Sequence, residues 1–165
     1  MPYSTDYRRW RSGKCRIKVN GFDVPPVWQT VAQRAMQHWN KVGARFEFVV
    51  DPASPSSIVC DELGDNGWIG LTTLRPDTAE AYISQVLIRV NTRHSFLPSH
   101  PTTAPLQHSK QYDLYTVLLH ELGHALHLGE DYGVNSTTVM CPTIEPGEVR
   151  RLTTDDISGI QLLYP

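Results

Sequence analysis

At 165 residues, with 40% hydrophobic and 19% charged side chains, the chain suits one domain with its own core and not a disordered or low-complexity segment. Its formal net charge of -2 gives no global pull toward nucleic acid or an anionic membrane. No run approaches the ~20 apolar residues of a membrane span. The opening stretch MPYSTDYRRWRSGKC has basic residues with no apolar stretch behind them, unlike a signal peptide, so an intracellular chain or one whose leader has been removed is expected.

Residues 1–13 are expected to extend ahead of the domain. Alternation over residues 15–20, with Cys15, Ile17 and Val19 against Arg16, Lys18 and Asn20, predicts a strand with one buried face. Pro25 and Pro26 open a helix on which Trp28, Val31, Ala32, Ala35, Met36, Trp39 and Val42 recur at helical spacing until Gly43. Further strands are expected at 46–50, at 57–62, as a short edge segment at 68–74, and at 81–91, which is rich in β-branched residues. Residues 94–111 hold Pro98, Pro101 and Pro105 without periodicity and read as a long loop. Its His94, His100 and His108 read as solvated loop histidines.

Asp113 can cap a second long helix through Leu114, Val117, Leu118, Leu122 and Ala125. Thr153 followed by Asp156 resembles a capping box for a last helix with Ile157, Ile160 and Leu163 on its apolar face. The order of elements predicts an α+β domain with a mixed sheet. Cys15, Cys60 and Cys141 are odd in number and form no Cys-x-x-Cys pair, so they leave open whether Cys15 and Cys60 pair.

The stretch LLHELGHALHLGEDYG, residues 118–133, carries the chemistry. His120 and His124, four apart on a helix, stand one above the other and can reach one ion. Zn²⁺ accepts imidazole nitrogens at about 2.0–2.1 Å, and catalytic sites use three protein ligands plus a water. Glu121, next to the first histidine, can serve as general base toward that water, with a peptide bond as the natural substrate. The competing reading is two polar residues on a packed helix. Against it, Leu118, Leu119, Leu122, Ala125 and Leu126 make this helix apolar, and buried histidines need partners.

HELGHALHLGED resembles the zinc-binding consensus of the metzincin metallopeptidases, His-Glu-x-x-His-x-x-Gly-x-x-His, and is most similar to its matrixin branch. TTVMCP resembles the Met-turn of that clan and puts Met140 there. LTTDDISGIQLLYP resembles the C-terminal helix of matrixin catalytic domains, and IRVNT their last sheet strand. The likeness implies a metzincin-like zincin fold: a twisted mixed sheet with two helices above a cleft, and a small C-terminal part with the Met-turn and the terminal helix. On that pattern residues 1–165 form one catalytic domain, with an upper part at 14–129 and a lower part at 130–165. It further implies a zinc-dependent endopeptidase, expected to be monomeric, acting on an extended peptide held by β-augmentation, and secreted if a leader was removed, otherwise cytoplasmic. Pro142 and Ile144 fall where the family builds a wall of the pocket for the side chain after the cut bond. Asp155 or Asp156 either braces the Met-turn or merely caps the last helix.

Two positions at the metal site depart from the family. His127 stands where it has glycine at a left-handed helix exit, and Glu130 stands where it has the third histidine. Glu130 is therefore the favoured third ligand, with Asp131 next. His127 is disfavoured because residue 127 lies ~10.5 Å along the axis from residue 120 on a continuous helix, and an imidazole nitrogen reaches only about 6 Å from its Cα. Gly129, just before Glu130, can take the backbone angles that turn the chain back. Residues 64–80 contain no histidine, so a second zinc or calcium ions are not supported. Cys141 replaces the usual tyrosine and is expected to pack as a small residue. The rival from another class is a catalytically weak or inactive zinc- or peptide-binding module of the same fold.

Overall fold

A computed structural model describes residues 8–19, 24–65, 67–98 and 110–165. Asn20, His100, His108, Pro101 and Pro105 lie outside the described residues. The strand predicted at residues 15–20 is β2 (Lys14–Ile17), with Cys15 and Ile17 buried and Lys14 and Arg16 exposed. Two residues ahead of the expected start also belong to the fold. β1 (Arg9–Trp10) pairs in parallel with the start of β6 (Tyr82–Asn91), and the buried Trp10 indole donates to the Ala125 carbonyl at 2.8 Å. So short a strand has no periodicity to read, and its anchor lies far along the chain.

β6 is the spine of the sheet. β4 (Ser57–Asp61) runs parallel to it, on the edge that β1 also uses. β5 (Gly70–Pro76) runs antiparallel along the other edge, as long as the segment expected at 68–74 but starting two residues later, with a register shift at Arg75/Pro76. β2 pairs in parallel with β3 (Glu47–Val50), and a parallel bridge from Lys18 to Ser57 joins this pair to β4. Among the described residues no strand pairs with the outer edge of β5.

α1 (Pro26–Asn40) begins where proline is tolerated, with its missing N–H at a position that has no intrahelical acceptor. It buries Val31, Ala32, Ala35, Met36 and Trp39. The Trp39 indole donates to the Leu119 carbonyl at 3.0 Å and binds α1 to α2 (Leu114–Ala125). Asp113 caps α2 by accepting from Thr116 N at 2.9 Å. Almost all of α2 is buried, so amphipathic periodicity is weak and the helix is a core element. Truncating Leu118 or Leu122, both fully buried, to alanine costs about 2–5 kcal/mol.

The region read as a featureless loop contains β7 (Phe96–Leu97), paired in parallel with β8 (Tyr112–Asp113), while His94 sets its ring edge-on to Tyr112. α3 (Thr154–Leu163) carries the predicted capping box, with Thr153 and Asp156 bonded reciprocally. Among the described residues no disulfide joins Cys15, Cys60 or Cys141; Cys15 is buried and the other two partly so. No helix among the described residues is long and apolar enough to cross a membrane. The result is a mixed α+β domain, as expected.

Candidate metal centre and cleft

Both histidines of the motif sit on α2 one turn apart, and each is oriented by a carbonyl. His120 Nδ1 lies 2.8 Å from the Val139 oxygen and His124 Nδ1 2.9 Å from the Leu128 oxygen. A carbonyl only accepts, so each Nδ1 holds the proton and each Nε2 of a neutral ring presents a lone pair. The two Nε2 atoms stand 3.0 Å apart. Two lone pairs at that distance repel unless a proton or a metal ion stands between them.

Glu130 completes the group. Its Oε1 lies 3.2 Å from His124 Nε2 and its Oε2 3.7 Å from His120 Nε2. Oε2 is buried with no hydrogen-bond partner. Ligands about 2.0–2.1 Å from one tetrahedral ion stand ~3.3 Å apart, which these separations bracket. Among the described residues His120, His124 and Glu130 are the donor group able to hold a metal ion. Burial raises the Glu130 carboxyl, but hydrogen bonds and charge from His120 and His124 outweigh it and pull its pKa down to about 2. Burial depresses the His124 imidazole, while Glu130, Glu121 and the Leu128 carbonyl raise it by more. The cluster therefore favours positive charge, whether a proton or a metal supplies it.

The chain reaches Glu130 through a turn that ends α2. His127 N donates to the His124 carbonyl at 2.8 Å and Leu128 N to the Gly123 carbonyl at 3.0 Å, the bond pair of a Schellman motif. His127 takes the left-handed position, at φ 73°. The return of the chain is thus made at His127 and not at Gly129, which is absent from the positive-φ glycines of the described chain. The His127 Nδ1 donates to the Arg8 carbonyl at 2.7 Å, and the ring lines the cleft outside the donor group. Asp131 is spent elsewhere. Its carboxylate accepts from Gly133 N at 2.9 Å, Ser136 Oγ at 2.5 Å and Thr138 Oγ1 at 2.8 Å, hydrogen bonds that hold its pKa below the usual carboxylate range.

Met140 is fully buried in a tight turn at residues 138–141, where Cys141 N donates to the Thr138 carbonyl. A side chain at Gly123, between the two histidines, would collide with the Met140 sulfur. Cys141 is half-buried and outside the donor group.

These residues open onto a cleft of about 460 Å³, lined by Gly70, Thr72 and Leu74 of β5, by Val117 and the α2 motif, and by Pro142 and Ile144 opposite. Glu121 faces it, only 5% exposed. Three positioning residues do not stand out in the sequence. Thr72 Oγ1 lies 2.6 Å from Glu121 Oε2. The Asn91 side chain donates to the Gly64 and Trp68 carbonyls and accepts from Leu63 N, tying down the approach to β5. Arg150 is buried and donates to the Cys141 carbonyl at 2.7 Å, to the Thr143 carbonyl and to Glu148, framing Pro142. Asn91 and Arg150 carry a faint signal, as polar residues beside apolar segments; Thr72 carries none.

Comparison with known proteins identifies the family. The model of the family described as Matrixin matches residues 16–165. A curated relative, Metalloendoproteinase 2-MMP of Arabidopsis thaliana, is 47% identical over 53 residues. That match takes in 32% of this chain and 14% of the relative's length.

Proposed function

Because this chain belongs to the matrixin family, we propose that it is a zinc-dependent endopeptidase that hydrolyses peptide bonds in proteins. The observation that carries this reading is the group of His120, His124 and Glu130, with the Glu121 carboxylate beside it on one cleft. His120, His124 and Glu130 would hold the ion. Bound zinc would supply Lewis acidity and a water of lowered pKa.

The remaining work falls to the chain. Glu121 is the general base, taking the proton from the attacking water and passing it to the leaving nitrogen. An extended peptide would pair with the open edge of β5, with one side chain directed between Val117, Pro142 and Ile144. Residues 14–129 and 130–165 then act as upper and lower walls of a single catalytic domain. Met140 under Gly123 supports its assignment to the Met-turn. The departures at 127 and 130 are compatible with activity, since a carboxylate completes a His₂Glu zinc site. An intact, anchored Glu121 favours an enzyme over a zinc- or peptide-binding module, which needs no base beside the metal.

The test is hydrolysis of casein and a varied peptide set by zinc-loaded protein. Cleavage that a chelator abolishes and added zinc restores is the expected result. Binding of zinc without cleavage of any substrate would overturn this reading in favour of the binding module.

A further inference from the structure

The inner face of β5 is shaped around the Glu121 carboxylate. Gly70 and Thr72, two apart, share that face. A Cβ on Gly70 would stand 2.7 Å from Glu121 Oε1 and 2.9 Å from its Cγ, so the absent side chain is the space the carboxylate occupies. Thr72 Oγ1 lies 2.6 Å from Glu121 Oε2 and 3.0 Å from the Glu121 carbonyl. Toward an ionised carboxylate and a carbonyl the hydroxyl can only donate. Among the described residues Thr72 supplies the one side-chain hydrogen bond to this carboxylate.

We propose that Thr72 is a positioning residue for the general base: its hydroxyl pins Oε2, Gly70 leaves room beside it, and Oε1 is left for the reacting water. The inference rests on the endopeptidase reading. It also ties two events together, because the strand that an extended peptide would pair with carries the donor that aims the base. A glutamate has several rotatable bonds, and without this anchor its carboxylate samples orientations that miss the reacting proton.

Thr72→Val removes the hydroxyl at nearly constant volume, and Thr72→Ser keeps it. Both changes fall at one half-buried position of an edge strand, where neither threatens folding. Steady-state hydrolysis of one peptide by the zinc-loaded proteins should show kcat lowered about ten- to a hundredfold by Thr72→Val, with KM nearly unchanged, and restored for the most part by Thr72→Ser. Crystal structures should show the Glu121 carboxylate displaced in Thr72→Val and in place in Thr72→Ser. A wild-type kcat for Thr72→Val, or equal losses in both variants, would overturn the proposal. So would a Thr72→Val structure with Glu121 unmoved. If the wild-type protein cleaves nothing, the endopeptidase reading fails, while the crystal structures still decide whether Thr72 positions Glu121.

Discussion

Asp156, in the first turn of α3, accepts a hydrogen bond from the backbone N–H of Val139 at 3.0 Å. The Val139 carbonyl in turn accepts from His120 Nδ1 at 2.8 Å. The same Asp156 oxygen also accepts from Thr153 N and Thr153 Oγ1. The two roles weighed for this aspartate, helix cap and brace of the turn at Met140, are therefore one arrangement. It connects the last helix to the orientation of a histidine in the donor group.

Asp156→Ala removes the cap and leaves the Val139 N–H buried without an acceptor. Denaturant unfolding should show a loss of about 2–4 kcal/mol. Thr153→Ala, which affects only the cap, should cost about 1 kcal/mol. Equal losses would mean that the Val139 contact contributes nothing.

Metal analysis of the purified protein should find about one zinc per chain. Glu130→Ala should weaken zinc binding far more than Asp131→Ala or His127→Ala. Asp131→Ala should instead destabilise the fold, because it strands the donors of Gly133, Ser136 and Thr138. Zinc loss on Asp131→Ala with unchanged stability would transfer the ligand role to Asp131.

Glu121→Ala should retain zinc and unfold at close to the wild-type midpoint, yet hydrolyse no peptide. Cleavage at the wild-type rate would remove Glu121 from the mechanism.

His127 occupies a left-handed position that favours glycine. His127→Ala keeps that strain and loses the bond to the Arg8 carbonyl, whereas His127→Gly loses only the bond. The glycine variant should be more stable than the alanine variant by about 1 kcal/mol in thermal or denaturant unfolding. Equal stabilities would show that residue 127 is not strained in solution.

Stability should decline on the alkaline side. Burial, with the Asp113 charge, pushes the Tyr115 hydroxyl up to about 12, and burial raises the Cys15 thiol as well. Both groups keep their protons in the folded state at pH values where the unfolded chain releases them. Their contribution is full below the unfolded values, about 8.5 for Cys and about 10 for Tyr, and is lost as pH rises toward the folded ones. Urea midpoints measured from pH 8 to 12 should fall, and less steeply in Cys15→Ala and Tyr115→Phe. A flat profile in the wild type would contradict the burial of both groups.

Local patterns were legible where they repeat or where a motif has a tight physical meaning. The helix through Leu114, Val117 and Leu118, the capping box at Thr153 and the pairing of His120 with His124 all follow from spacing along one element. The role of Thr72 was not legible, because its partner lies 49 residues away and threonine is ordinary in a strand. The occupation of Asp131 was not legible either, because its side-chain hydrogen bonds with Ser136 and Thr138 form only when the loop around residues 131–138 folds. The left-handed exit at His127 follows the family's glycine at that position, whereas Gly129 misled because glycine permits unusual backbone angles but does not require them.

The open edge of β5 has a consequence for the protein in bulk. Unpaired backbone N–H and C=O groups accept any extended chain, including the β5 of another copy. A net charge of -2 gives molecules little mutual repulsion to prevent such encounters. Pro76, which has no N–H, and the register shift beside it blunt the far end of the strand. Among the described residues the ladder from Gly70 onward stays unpaired, so self-association at high concentration should start from the same backbone groups that a peptide in the cleft would use.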